Sequence, residues 1–424
     1  MNKQWTAFKE SAIFADRVKT LYGDNQLALQ QERYGKLVER FEKRFGETQE
    51  PLYFFSAPGR TEIGGNHTDH NNGRVLAAAV NLDTIACVQK TDDGVIIVDS
   101  EGFPPIKTDV FDLSVRKKDF GTTLALIRGT AGVMKEMGYK VGGFKATVSS
   151  SVLRGSGLSS SAAFEVLIAA VLDGLYNGFS IDSKERAVIA QKVENVYFGK
   201  PCGLLDQMAS SVGGMVTIDF KAEDAQVEAI ACDFVAHGYA LCVVNTGGNH
   251  GDLTDDYAAI RSEMESVAAV FGKKVLREVE QEEVEESIGS LRAKCGDRAV
   301  LRALHFYDEN ERVLEQVAAI QEGNLPVFFD AVARSGDSSW KLLQNVYARP
   351  TEEQMAMGIE LSRRFLKGEG AQRVHGGGFA GTIQAYVPLE RLDAYVEMME
   401  AVFGKGSCMP LMVRPEGAVM MPMN

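Results

Sequence analysis

Paired cysteines, histidines and tryptophans are all in short supply here. The chain has 424 residues but only 6 Cys, 6 His and 2 Trp. The cysteines (Cys87, Cys202, Cys232, Cys242, Cys295 and Cys408) are scattered and form no CxxC pair. Neither a zinc ribbon nor a disulfide scaffold is therefore indicated, and reduced thiols in a cytoplasmic setting are the simpler account. No apolar run reaches the roughly 18 residues that a membrane-spanning helix needs. The segment from Met1-Asn2-Lys3-Gln4-Trp5 onward is broken by charges every few positions and does not read as a signal peptide. Positive charge is short as well: 45 Lys and Arg face 58 Asp and Glu, a net charge of −13 with a pI near 5.1. That balance argues against a nucleic-acid backbone or an anionic membrane as the main partner. It leaves room for a small anionic ligand, because local amides and a metal outweigh a diffuse surface charge screened within about 8 Å.

What is present is ordinary for a globular protein: 45% hydrophobic and 24% charged residues, in a chain long enough for roughly two to three domains. Residues 7–45 have helical spacing and read as a helical lead-in, 1–50 in all. Strand-like runs follow near 54–55, 75–80, 85–88 and 95–98, helical patterns at 122–137, 160–176 and 183–197, then strands near 214–219 and 240–245. From 255 the chain is mostly helical (255–271, 297–320, 324–334, 352–367), before a strand at 382–387 and a helix at 390–402. This mixed order, without regular βαβ repetition, predicts an α+β fold. The domain boundary is placed within 220–240, giving units of 51–235 and 236–424. The acidic run 277–286 reads as a solvated face rather than a metal site.

Four polar segments stand out. The first, Gly155-Ser156-Gly157-Leu158-Ser159-Ser160-Ser161, lies between a strand-like run and an apolar helix. Glycines, hydroxyls and a helix N-terminus suit a phosphate; a plain loop with an N-cap is the other reading. It is no Walker A loop, since no Lys-Ser or Lys-Thr pair follows the last glycine. The second, 57–73, carries Arg60, Asn66, His67, Asp69 and His70. Its His67-x-Asp69-His70 lacks the preceding histidine of a metallo-hydrolase motif, position 65 being Gly65. Asp, Asn and His suit a polyhydroxylated ligand instead, and Arg60 supplies a fixed charge. The third, 200–208, sets Asp206 in an apolar run, as a proton acceptor held ionised by an arginine or as a helix cap. In the fourth, His375-Gly376-Gly377-Gly378-Phe379-Ala380-Gly381, the glycines allow either a hinge or a close approach.

Together these segments resemble the galactokinase family of the GHMP small-molecule kinase superfamily, in order and at comparable spacing over most of 50–420. Residues 59–70 are similar to Gly-Arg-Val-Asn-Leu-Ile-Gly-Glu-His-Thr-Asp-Tyr without gaps, the phosphate loop to Gly-x-Gly-Leu-Ser-Ser-Ser-Ala, and the fourth segment to Gly-Gly-Gly-Phe-Gly-Gly. Weaker echoes are Cys202 to Gln207, Glu309-Asn310-Glu311-Arg312 and Arg414-Pro415. The resemblance implies a two-domain fold, an N-terminal domain like ribosomal protein S5 domain 2 and a ferredoxin-like C-terminal domain. It also implies ATP, Mg²⁺ and a small sugar as ligands, and a monomer or weak homodimer. Asp206 and Arg60 would be catalytic. Gly155, Ser156, Gly157, Leu158, Ser159, Ser160 and Ser161 would cradle the phosphates, and Ser161 with Glu194 would hold the metal. Asn66, His67, Asp69, Gly203 and Tyr257 would contact the sugar.

Three departures from the family pattern matter. Its Glu is Asn66 here, with His70 after Asp69; its tryptophan ahead of the adenine-side helix is Thr123; and the proline before the phosphate loop is Leu153. A glutamate about 4 Å from a C6 carboxylate would cost about 4 kcal/mol at an effective dielectric of 20, close to three decades of affinity. Asn66 would remove that cost, so a hexuronate such as galacturonate stands beside galactose as a candidate substrate. A catalytically silent sugar and nucleotide sensor is the remaining alternative, and the presence of Arg60, Asp206, Ser161 and Glu194 counts against it.

Overall fold

The computed structural model describes residues 2–152, 157–200, 202–222, 225–248 and 253–422. Two sheets organise them. Strands β1 (Leu52–Gly64), β2 (Arg74–Thr91), β3 (Val95–Ser100), β4 (Ile106–Asp109), β5 (Gly143–Ser150), β6 (Met215–Asp219) and β7 (Gln226–Ile230) belong to the first. β8 (Tyr239–Gly247), β9 (Ala371–Val374), β10 (Gly381–Pro388) and β11 (Cys408–Leu411) form the second, in the order β11-β8-β10-β9. The last strand, β12 (Val419–Met421), returns to the first sheet and pairs antiparallel with β1. The chain therefore ends beside the strand on which the first sheet begins.

The runs near 75–80 and 85–88 prove to be one strand, β2, whose early half pairs with β6 and later half with β5. Its apolar residues (Val75 to Val80, then Ile85 to Val88) are buried on both faces, which is why no period-2 signal joins them. β1 pairs with β2 throughout, but the register shifts at Pro58/Arg60 and again at Glu62/Gly64. Such irregularities turn side chains out of the alternating pattern, and both lie within the polar segment 57–73, on the strand that leads into its turn.

One face of the first sheet carries the helix Ser160–Tyr176, which has Ala162, Ala163, Val166, Leu167, Ile168, Ala169, Ala170, Val171 and Leu172 all buried. A helix apolar all round must be central, and it packs between β1 and β2 and the helices Thr123–Glu136 and Ser183–Val193. The other face is covered by the lead-in, seen as helices Lys3–Lys9, Ala12–Tyr22 and Leu27–Phe45. These bring Trp5, Phe8 and Tyr34 around Phe54 at ring separations of 5.5–6.0 Å, with Phe14 packed edge-on against all three at 5.2–5.7 Å. Fully buried Asp83 ties them down through Arg33, Tyr22 and Ser56, and Arg414 from the C-terminal end completes the set. In the acidic run 277–286, Gln281–Glu286 is helical and its glutamates are solvated, as the charge pattern predicts, whereas Val279 and Val284 are buried and Arg277 pairs inward with Asp219.

Candidate active site

Arg60 lies at the first β1 irregularity and joins three of the four segments. Its backbone N–H donates to Leu158 O at 3.0 Å, its Nη1 donates to Gly157 O, and its Nε donates to Asp206 Oδ1 at 2.6 Å. Gly59 makes the approach possible, because a Cβ there would lie 2.9 Å from Leu158 O. Gly157 has φ +71°, and a Cβ on it would meet the His375 ring at 2.9 Å. Sequence-distant groups thus converge on one guanidinium.

Asp206 is the second residue of the helix Leu205–Val212, yet it does not cap that helix. Its Oδ2 instead accepts from the Ser159 hydroxyl. Ser159 in turn sits in left-handed backbone (φ +58°) ahead of the helix Ser160–Tyr176 and gives it no side-chain cap. The simple N-cap reading therefore fails at both places. Burial pulls the Asp206 carboxyl upward, but Arg60 and Ser159 outweigh it and hold the group below the usual carboxylate range. Asp206 is ionised at neutral pH and about one-third exposed, so a ligand can reach it.

The sugar loop forms the adjoining wall. Asp69 Oδ2 would be 2.7 Å from a Cβ at Gly203, which is why the backbone there carries no side chain. His67 Nε2 bonds Gly377 O at 2.9 Å, and Tyr257 donates to Gly378 O at 2.8 Å. A Cβ at Gly377 would meet the Tyr257 ring at 2.7 Å, so the glycine run serves close approach rather than a hinge. These contacts bring His67, Asp69, Gly203 and Tyr257 to one place.

Asn66 departs from its expected role. It is fully buried; its Nδ2 donates to Glu62 Oε1 at 2.9 Å and Gly376 O at 2.7 Å, and its Oδ1 accepts from Asn345 and Ser339. Every polar site on the amide is used within the protein, so Asn66 supports the loop from below rather than facing the ligand. The carboxylate that it replaces reappears at Glu62, which also pairs with buried Arg373 at 2.9 Å. Burial raises the Glu62 carboxyl, with Arg373, His67 and Arg60 opposing.

A second tier of buried groups, which no local sequence pattern marks apart from one short echo, holds this loop. Glu309 Oε1 accepts from Gly65 N at 3.1 Å, Asn66 N at 3.4 Å and Ser335 Oγ at 2.6 Å, while Oε2 pairs with Arg312. Burial opposes its charge, yet Arg312, His305 and Arg373 bring its carboxyl down to about 2. His305, lowered to about 4 by burial, is charged only in the acid range where Glu309 titrates and neutral at pH 7, and it bonds Asn66 O at 2.9 Å. Only the Glu309-Asn310-Glu311-Arg312 echo in the sequence hinted at this tier.

Of the phosphate-loop residues, Gly157, Leu158, Ser159, Ser160 and Ser161 belong to this assembly, while Gly155, Ser156 and Leu153 lie outside the described residues. Ser160 and Ser161 also edge a cavity of about 760 Å³ walled by Phe103, Leu126, Val152, Phe164 and Phe198, with Thr123 at its rim. Aromatic surface is thus available beside the position where the family tryptophan is missing. Glu194 opens a π-helical turn, Glu194–Phe198, a form common at functional sites. Its carboxylate accepts from Gln207 Nε2 at 2.7 Å and Lys200 Nζ at 3.3 Å. Gln207 also bridges to Glu165, four residues beyond Ser161 on one helix face. Glu165 is fully buried with Oε1 unpartnered, and burial together with Glu194 lifts its carboxyl to about 8. Two carboxyls with one orphaned oxygen beside a serine form a hard oxygen set that fits Mg²⁺. Among the described residues no group of three or more His, Cys, Asp or Glu gathers to hold a metal.

The phosphate-loop helix and the sugar loop, meeting where the two sheets abut, define a GHMP small-molecule kinase of two-domain α+β fold. A model of the GHMP kinases N terminal domain matches residues 125–214, and one of the galactokinase galactose-binding signature matches 39–90. The structure superposes on Lactococcus lactis galactokinase complexed with galactose with a TM-score of 0.78 at 24% identity, covering 91% of this chain and 99% of that one. On Methanococcus jannaschii mevalonate kinase the TM-score is 0.62 at 16% identity, covering 86% and 99%. Within that class the chain belongs to the galactokinase family. It is 31% identical over 376 residues to the galactokinase of Streptomyces coelicolor, covering 87% of this chain and 92% of that protein. It is 33% identical over 380 residues to that of Actinobacillus pleuropneumoniae serotype 5b, covering 86% and 91%. It is a sugar kinase.

Proposed function

We propose that the enzyme transfers the terminal phosphoryl group of ATP to the C1 hydroxyl of galactose. The observation that carries this reading is the Arg60–Asp206 pair pinned against the phosphate loop beside the sugar loop. His67, Asp69, the Gly203 backbone and Tyr257 orient the sugar. Residues 155–161 receive the phosphates, with Phe103, Phe164 and Phe198 walling the base. Ser161 and Glu194 would hold Mg²⁺, with Glu165 in support, and the ion would neutralise phosphate oxygens.

Asp206 accepts a hydrogen bond from the C1 hydroxyl and aligns its oxygen for in-line attack. That oxygen bonds to the terminal phosphorus, the bond to the bridging ADP oxygen breaks, and the hydroxyl proton passes to Asp206. Because Arg60 keeps Asp206 a weak base, proton transfer comes late, which suits a loose phosphoryl transition state. Arg60 then faces the charge that develops on the transferred group. A panel of neutral hexoses and hexuronates, assayed for ATP consumption with the product position read by phosphorus NMR, tests the reading. Galactose 1-phosphate is the expected product; phosphorylation at another hydroxyl, or of no neutral hexose, refutes it.

A further inference from the structure

Removing a carboxylate at position 66 does not remove one from the sugar pocket. The family pattern places Asn at the position of Glu62 and Glu at the position of Asn66, so the two residue types have changed places and remain hydrogen-bonded at 2.9 Å. The exchange is asymmetric in exposure. Asn66 is fully buried, whereas the Glu62 side chain keeps 11% of its surface. Asn66 and Arg373 both donate to Oε1. Among the described residues Oε2 accepts no hydrogen bond, and it is not among the sealed polar atoms, so it is the open acceptor. Arg60 and His67 both act on the charge of the Glu62 carboxyl.

We propose that Glu62 is a specificity-determining residue of the sugar pocket: its open oxygen accepts a substrate hydroxyl, and its charge restricts the enzyme to neutral sugars. This rests on the sugar-kinase reading above and deepens it. The neighbouring cations are already committed, Arg60 to Asp206 and Arg373 to Glu62. A sugar carboxylate entering here meets Glu62, Asp69 and Asp206 with no cation released to receive it. The relief for a hexuronate that Asn66 alone suggests is therefore cancelled four residues upstream.

The test compares wild type, Glu62→Gln and the exchange variant E62N/N66E. Each is assayed with galactose and galacturonate, for steady-state kinetics and for galactose binding by calorimetry without nucleotide. Loss of a charge-assisted hydrogen bond predicts a roughly 10- to 100-fold weaker galactose Kd and higher KM in E62Q, with kcat changed far less. The galacturonate-to-galactose ratio of kcat/KM rises by about tenfold or more, and E62N/N66E returns galactose binding to within about threefold of wild type. An unchanged galactose Kd in folded E62Q, or an exchange variant as weak as E62Q, overturns the proposal. Should E62Q fail to fold, Glu62→Asp decides: it keeps the charge but withdraws the open oxygen, so a raised galactose KM supports the role and an unchanged one overturns it. A wild-type enzyme that consumes ATP with galacturonate but with no neutral hexose would instead overturn the galactose reading itself.

Discussion

The Glu309→Gln substitution separates the support of the sugar loop from its chemistry. Glu309 is fully buried. Its carboxyl is brought from the ordinary 4.5 to about 2, because Arg312 above all and Arg373, joined by His305 once it protonates below about 4, outweigh burial. A folded-state value below the unfolded one contributes stability at pH above about 4.5, lost as pH falls toward 2. The separation corresponds to about 3 kcal/mol at neutral pH, comparable to the roughly 3–5 kcal/mol lost when one partner of a buried ion pair is stranded. Gln keeps an oxygen to accept from Gly65 and Asn66, but it leaves Arg312 unpaired. Denaturant unfolding at pH 7 should therefore show E309Q less stable by about 3 kcal/mol, with the deficit shrinking as pH falls below 4. Turnover per folded molecule should stay near wild type. A loss under about 0.5 kcal/mol, or one independent of pH, refutes the reasoning.

Two further outcomes follow from the same geometry. Glu165, lifted to about 8 by burial and Glu194, holds a proton in the folded metal-free enzyme at pH 6 that the unfolded chain releases. Stability then declines as pH rises from about 4.5 to 8; Glu165→Gln should melt several degrees higher than wild type at pH 8.5 in EDTA and near it at pH 5, and parallel melting curves would count against the assignment. Thr123→Trp places an aromatic face on the rim of the 760 Å³ cavity and should lower the KM for ATP roughly fivefold, the value of a ring contact of about 1 kcal/mol, without moving the KM for galactose; an unchanged or higher ATP KM would place the base elsewhere.

Much of this was legible in the order of residues. The helix at 160–176 announces itself by an unbroken apolar stretch, and the convergence of Arg60, Asp206 and the phosphate loop follows from ordered motifs. What escaped was long-range pairing between polar groups. Nothing near Asp83 predicts Arg414, and β12 carries too few residues to show a period. Glu165 hides in an apolar run whose helix buries every side. Glu62 is the instructive case. The glutamate lost at 66 and the one gained at 62 stand in one motif, and only packing shows which side chain is sealed.

The most direct measurement is turnover and sugar binding in Asp206→Asn. Asn keeps the size and a hydrogen-bonding oxygen but removes the charge that pairs with Arg60 and the site that receives the C1 proton. Phosphoryl transfer should fall by roughly a thousandfold or more, the scale of losing a positioned acid–base group together with its charge. Calorimetric galactose affinity should stay within several-fold of wild type. Turnover near the wild-type rate in folded D206N would contradict the account at its centre.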